Sequence, residues 1–162
     1  MRPLMVIDLD VVTVHLWKGS QAEEAEAFIE KVESRYFKVI VPYTLIELAK
    51  KWRYIELKKK VIEFYRKNAT KISAEDVKEK LEGFRINDKE LALSLVARGI
   101  KEEDAALVII ASLFKADYLV TFNRKHLRNK ERPICEVLND FSLPEIKIRT
   151  PQELLKEAQN EN

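Results

Sequence analysis

The stretch Ile100–Leu127, IKEEDAALVIIASLFKADYLVTFNRKHL, decides the fold, because it places a charged turn, a buried helix and a buried strand in immediate succession. Gly99 interrupts the segment before it, and the acidic residues 102–104 supply the negative charge that a helix N-terminus favours. Residues 105–114 are apolar apart from Ser112, which is the pattern of a helix buried on nearly all sides.

The strand that follows this helix completes an αβ unit of a parallel sheet. Residues 118–121 form a short apolar run with strand composition, and polar residues follow it. Asp104 lies in the first turn of the predicted helix, and Thr121 and Asn123 leave the C-terminal end of the predicted strand. All three are expected at the sheet edge where open α/β folds bind ligands.

The remaining periodicities extend this unit to a three-layer α/β fold, with a parallel sheet of four to five strands flanked by helices. With 162 residues, the chain is expected to form a single domain, 1–162, with a helical insertion at about 52–98. The predicted strands are 3–7, 37–41, 70–72, 118–121 and 146–148. The predicted helices are 21–35, one with Pro42 in its first turn, 52–68, 73–84, 87–99, one from about 102 to 114, 134–141 and one from 151.

Composition and charge narrow the class of protein. The one cysteine, Cys135, excludes an intramolecular disulfide, and the chain has no apolar run of membrane-spanning length, so a cytoplasmic protein without a membrane partner is expected. The net charge is only +2, but basic residues are concentrated in two blocks, 50–71 and 124–132. Such blocks indicate either a polyanionic partner or solvated helix faces. The 35% of charged residues, mostly Lys and Glu, is typical of thermophilic proteins.

Three acidic residues fall at comparable places in this topology: Asp8 after the first strand, Glu47 early in the helix after the second, and Asp104. Asp8 and Glu47 adjoin apolar residues, where a carboxylate is costly unless it has a partner. Glu47 could instead pair with a lysine one helical turn away, and Asp10 could cap a helix that begins near Val11.

Carboxylates gathered at one crevice repel one another unless a cation offsets their charge. An all-oxygen cluster suits the hard ions Mg²⁺ or Mn²⁺. Such an ion activates bound water and stabilises charge on a phosphodiester, and this chemistry needs no cysteine, serine or histidine nucleophile.

In the order and spacing of these segments, the chain resembles the PIN-domain ribonucleases, and among them the toxins of prokaryotic type II toxin–antitoxin systems. The resemblance covers nearly the whole chain. It is carried by VIDLDVV with Asp8, YTLIEL with Glu47, GIKEEDAALVIIAS with Asp104, YLVTFNRKHL with Asn123, and the closing RTPQELL.

The resemblance implies a PIN-like fold and metal-dependent cleavage of single-stranded RNA by an endoribonuclease. Mg²⁺ or Mn²⁺ would be bound chiefly by Asp8 and Asp104, with Glu47 and Asn123 completing the catalytic set. An antitoxin protein and a second copy of the chain are the implied partners. The chain departs from many relatives in two ways: Asn123 stands where they carry a fourth acid, and Asp10 where they carry Ser, Thr or Asn.

Supporting roles follow from position. Asp10 would restore negative charge near the metal, and Thr121 leaves the strand at the same edge. From the second basic block, phosphate contacts are expected from Arg124, Lys125 and Arg128.

Two other functions fit parts of the sequence. Asp8-Leu9-Asp10 after an apolar strand also resembles the nucleophile motif of haloacid-dehalogenase-type phosphatases, although Asp104 begins a helix where that family places its distal acids at a strand end. The second alternative, motivated by Asn123, is a catalytically degenerate PIN-like RNA-binding or scaffold protein. Cation dependence of RNA cleavage separates this alternative from the enzyme.

Overall fold

The computed structural model describes residues 2–17 and 21–160 and shows an α/β fold built on one five-stranded sheet. All strand pairings are parallel, in the order β3-β2-β1-β4-β5, and helices flank the sheet. The predicted fold class is thereby confirmed.

The strands are β1 (Leu4–Ile7), β2 (Lys38–Pro42), β3 (Thr70–Ile72), β4 (Tyr118–Val120) and β5 (Lys147–Arg149). The helices are α1 (Leu9–Trp17), α2 (Ala22–Glu33), α3 (Tyr43–Lys50), α4 (Ile55–Asn68), α5 (Ala74–Phe84), α6 (Asp88–Ala97), α7 (Glu102–Leu113), α8 (Glu131–Asp140) and α9 (Pro151–Asn160). The region 52–98 thus contains α4, the edge strand β3, α5 and α6. Among the helices described, none has both the length and the apolar character needed to cross a bilayer.

The segment from α7 to β4 is a buried helix followed by a buried strand, as the sequence predicted. From Ala105 to Leu113, every side chain of α7 except the partly buried Ala106 is buried. Ser112 lies in this apolar run and donates a hydrogen bond to the carbonyl oxygen of Pro144, so burying its hydroxyl leaves no donor unsatisfied. Gly99 has φ +89° and provides the left-handed turn that separates α6 from α7.

Side-chain caps begin three of the helices at the places that the sequence indicated. Ser73 and Asp76 form a reciprocal capping box at the start of α5, and Thr150 and Glu153 form one at the start of α9. The Asn87 side chain accepts hydrogen bonds from two backbone N–H groups at the start of α6. These local contacts fix where each of the three helices begins.

Several element boundaries differ from the predictions. α1 begins at Leu9, so Asp10 lies inside its first turn, and the prediction that Asp10 caps a helix starting near Val11 is wrong. α8 begins at Glu131, three residues before the predicted 134, because a short 3₁₀ turn at Arg128–Lys130 leads directly into it.

The outer edge of β5 is occupied by side chains of the same molecule. The backbone N–H of Ile148 donates to Glu131 at 2.6 Å, and the carbonyl oxygen of Ile148 accepts a hydrogen bond from Arg149 at 2.8 Å. Arg149 also forms ion pairs with Glu131 and Glu157, which ties β5 to α8 and α9.

Candidate active site

The register between β1 and β4 brings the candidate site together. Ile7 pairs with Val120, so the next residue of each strand, Asp8 and Thr121, leaves the sheet beside the other. The N–H of Asp8 donates to the Val120 carbonyl oxygen at 2.9 Å and fixes this arrangement. Both residues lie at the carboxyl ends of the strands, where ligands bind in open parallel sheets.

The Thr121 hydroxyl joins two aspartates at this edge. Its Oγ1 is 2.8 Å from Asp8 Oδ2 and 3.4 Å from Asp10 Oδ2, so its proton is best placed to be donated to Asp8. The backbone N–H of Phe122 lies 3.2 Å from each carboxylate oxygen of Asp10. Since Thr121 is fully buried, it positions the aspartates from beneath.

Asp104 completes the acidic cluster from the other side of the crevice. It lies in the first turn of α7, as the sequence predicted, and it is partly buried. All three aspartates line one cavity of about 400 Å³. The residues that line it are Asp8, Leu9, Asp10, Thr13, Val14, Leu45, Leu48, Trp52, Glu103, Asp104 and Leu107. The cavity is therefore acidic at its base and apolar on its sides.

Burial and mutual repulsion weaken the acidity of these carboxyl groups. Burial raises the pKa of Asp8 to about 6, with a further increase from the charge of Asp104. Burial and the charge of Asp8 raise the pKa of Asp10 to about 7. Burial also raises the pKa of Asp104, although Lys101 acts in the opposite direction.

Hydrogen bonds offset only part of this repulsion. The groups that lower the pKa of Asp8 are the Thr121 hydroxyl and the Leu9 N–H, and those that lower the pKa of Asp10 include the Phe122 N–H. These are neutral donors. Negative charge at the pair is therefore costly near neutral pH, and a proton or a metal cation would relieve it.

Glu47 lies outside this arrangement, contrary to the prediction of a dry setting. Leu45 and Leu48 are three residues apart on α3 and line the cavity, whereas Glu47 is exposed. The apolar residues around Glu47 in sequence therefore belong to a neighbouring face of the helix. Glu47 is not among the residues that line the cavity with the aspartates.

Asn123 follows the site but uses its side chain locally. Its Oδ1 accepts a hydrogen bond from the N–H of His126 at 3.1 Å, and its own N–H donates to Thr121 Oγ1 at 3.0 Å. Asn123 thus caps the turn after β4, and its side chain is absent from the cavity wall. Its assignment to the catalytic set is not supported by this geometry.

The three predicted phosphate-binding residues divide into two groups. Arg124 and Lys125 are exposed, so they remain available to a ligand. Arg128 instead forms a forked pair with Glu153, with Nε 2.9 Å from Oε1 and Nη2 3.0 Å from Oε2. Because its guanidinium holds the start of α9, Arg128 has a structural role.

Two aromatic residues of the site were not assigned from the sequence. Tyr65 is fully buried on α4, and its hydroxyl donates to the Ile7 carbonyl oxygen at 2.7 Å, directly behind Asp8. Trp52, between α3 and α4, lines the cavity with the aspartates. Both lie in a segment where aromatic residues are interleaved with lysines. This pattern was the feature of the sequence that could have indicated their place in the site.

The donors in the cavity fit a hard divalent ion. Over residues 2–17 and 21–160, no three His, Cys, Asp or Glu side chains are grouped closely enough to ligate one ion. Mg²⁺ keeps several waters and commonly uses one or two protein carboxylates, so the Asp8–Asp10 pair with Asp104 nearby provides suitable chemistry.

Protein-family models, curated proteins and solved structures were compared with the chain, and none matched. The function is therefore inferred from the site itself.

Proposed function

We propose that this protein is an Mg²⁺- or Mn²⁺-dependent endoribonuclease of the PIN-like type, which cleaves single-stranded RNA. The observation that carries the proposal is the pair Asp8 and Asp10, held side by side at the carboxyl edge of a parallel sheet with pKa values raised by burial and repulsion. Titratable groups perturbed in this way, in a cavity, are typical of functional sites.

Each residue of the cluster has a distinct part in this proposal. Asp8 and Asp10 would ligate the cation, Asp104 would bind its waters, and Thr121 keeps Asp8 in place through its buried hydroxyl. When bound, the divalent ion supplies a hydroxide from water and stabilises negative charge on the phosphate. Arg124 and Lys125 are exposed beyond the end of β4 and would bind flanking phosphates.

The resemblance to toxins of toxin–antitoxin pairs makes an antitoxin protein a proposed partner as well. A second copy of the chain is proposed on the same ground. Neither partner enters the chemistry of the cavity, so the nuclease proposal can be tested on the isolated chain.

A second candidate function is RNA binding without cleavage. It is favoured by the exposure of Glu47 and by the engagement of the Asn123 amide oxygen in a turn, which leave fewer oxygen donors at the site than the nuclease resemblance implies. In that case Asp8 and Asp10 would share a proton near neutral pH and serve only to join α1 to β4.

Cleavage assays separate these two functions. The wild-type protein is expected to cut a single-stranded RNA only when Mg²⁺ or Mn²⁺ is present, and Asp8→Asn and Asp104→Asn are expected to lose that activity while remaining folded. Each change removes a charged donor but keeps side-chain size. Glu102→Gln, an exposed acid in the same helical turn as Asp104, is the matched control and should cleave normally.

The result that would overturn the nuclease proposal is cleavage in chelator that persists equally in folded Asp104→Asn. RNA binding by wild type without cleavage in either cation would support the second function instead. Mapping the RNA ends for wild type and Asp104→Asn side by side excludes a contaminating nuclease.

A further inference from the structure

An exposed aromatic pair lies next to the acidic cavity. Trp17 at the end of α1 and Tyr54 before α4 are 58% and 63% exposed, and their ring centroids are 5.5 Å apart in an edge-to-face arrangement. Ile55 beside them is 60% exposed. Contact between large apolar side chains and water is unfavourable, and exposed patches of such side chains mark surfaces that bind a ligand or a partner.

The aromatic pair connects to the cavity along two elements. On α1, Val14 lines the cavity and Trp17 follows it by three residues, so the two side chains share one face of the helix. Between α3 and α4, Trp52 lines the cavity and Tyr54 follows two residues later. Each ring therefore lies within three residues of a cavity-lining side chain, which places the aromatic pair beside the cavity.

The surroundings of the pair are basic. Lys50, Lys51, Arg53 and Lys59 are exposed on the same turn and the start of α4, and in the segment 47–60 basic residues outnumber the acids Glu47 and Glu56. Single-stranded nucleic acids bind surfaces of this composition, because bases stack on exposed rings while cations follow the phosphates. Charge therefore favours a polyanion with flat aromatic groups over an acidic or apolar peptide.

We propose that Trp17 and Tyr54, with Trp52, form a base-stacking platform that seats an unpaired nucleotide of single-stranded RNA beside the acidic cavity. This inference rests on the proposed nucleic-acid function and adds a specificity element to it. The platform selects unpaired bases, because a base inside a duplex has both faces covered by its neighbours. The phosphates on either side would lie against Lys50, Lys51 and Arg53.

RNA binding to the Asp104→Asn variant of the 162-residue chain tests the platform without cleavage. The probe is a fluorescein-labelled single-stranded oligoadenylate RNA, with an abasic oligomer of the same length and charge as its counterpart. The chain has two tryptophans, Trp17 and Trp52, so stacking should quench its intrinsic fluorescence. Adding Tyr54→Ala is expected to weaken binding of the oligoadenylate about tenfold and to leave binding of the abasic oligomer unchanged.

Matched variants keep the result interpretable if a substitution disturbs folding. Tyr54→Phe retains the ring and should restore affinity. Tyr36→Ala removes an exposed aromatic side chain just before β2, at the opposite edge of the sheet from the site, and should have no effect. Equal affinity of the Asp104→Asn protein for oligoadenylate and abasic RNA, or unchanged affinity after Tyr54→Ala, would overturn the platform. So would sedimentation data showing that Tyr54→Ala only dissociates two copies of the chain.

These outcomes are distinct from those of the nuclease assay. Base-dependent binding by a wild-type protein that cleaves no RNA would uphold the platform and overturn the nuclease. Cation-dependent cleavage that is unaffected by Tyr54→Ala would uphold the nuclease and overturn the platform.

Discussion

At the scale of single residues, the carboxyl pair at the end of β1 should make stability depend on pH. In the folded protein the pKa values of Asp8 and Asp10 are about 6 and 7, above the ordinary value of 3.8. The folded state therefore binds more protons than the unfolded state between about pH 4 and pH 7, so its free energy of unfolding falls as pH rises through that window.

Metal-free protein is expected to be more stable near pH 5 than near pH 8, with a difference on the order of a few kcal/mol. Asp10→Asn should flatten this dependence and raise stability near pH 8, because a neutral amide oxygen can still accept the Phe122 N–H. Chemical denaturation at several pH values measures the effect. A pH-independent free energy of unfolding for wild type over this range would show that the pKa values of Asp8 and Asp10 are not raised in the folded protein.

The Asn123 side chain gives a second prediction at this scale. Asn123→Asp should leave cation affinity unchanged in calorimetry, because the new carboxylate can keep the hydrogen bond to the His126 N–H. Asn123→Ala should cost about 1 kcal/mol of stability through loss of that hydrogen bond. Tighter cation binding by Asn123→Asp would instead place this side chain in the site.

At the scale of elements, the turn after β4 and the start of α9 are joined by Arg128 and Glu153. The hydrogen bonds from Arg128 hold the pKa of Glu153 at about 2, below its ordinary 4.5. A lowered pKa stabilises the fold at neutral pH, and this contribution is lost as pH falls from about 4 towards 2. This pH window lies below that of the aspartate pair, so the two effects can be measured separately.

Arg128→Ala and Arg124→Ala should therefore have different consequences. Arg128→Ala is expected to lower the free energy of unfolding by about 1 kcal/mol, a value reduced by the partial exposure of the pair. Arg124→Ala should leave stability unchanged and lower the slope of log RNA affinity against log salt by about one. An unchanged salt slope in Arg124→Ala would leave this residue with no phosphate contact.

The elements also show which features the sequence could predict. Capping boxes such as Thr150 with Glu153 depend on residues three apart, and the buried run of α7 depends on continuous apolar character, so both were predictable. Asp8 and Thr121 were placed correctly because parallel strands end at a common edge. These features follow from local pattern or from a general rule of topology.

The remaining features depend on contacts that sequence spacing does not determine. The exposure of Glu47 depends on how α3 is rotated against the cavity, and an apolar neighbourhood in sequence does not specify that rotation. The Asn123 side chain accepts a hydrogen bond from the nearby N–H of His126, and this local contact replaces the predicted catalytic role. Tyr65 reaches Ile7 across 58 residues of chain, a contact that requires the assembled sheet.

At the scale of the whole molecule, the β5 edge should influence self-association. Glu131→Ala removes the acceptor for the Ile148 N–H and one of the two carboxylates of Arg149. We expect a lower melting temperature and more concentration-dependent association than in wild type, because the edge then has a free donor. Glu136→Ala, an exposed acid on the same helix, is the control.

Sedimentation velocity over a range of concentrations measures this association. If Glu131→Ala and Glu136→Ala behave alike, the contact at Ile148 contributes to stability but does not protect the edge.

The same contact limits how copies of this chain could polymerise. A fibril grows only from units that offer a template on both sides, so that each added molecule recreates the end to which it was added. With β5 covered by Glu131 and Arg149, a native molecule can extend its sheet through β3 at most, and pairing there would stop at two molecules. Fibril growth would first require α8 to detach, so the resistance of crowded protein to aggregation should follow the local stability of that helix.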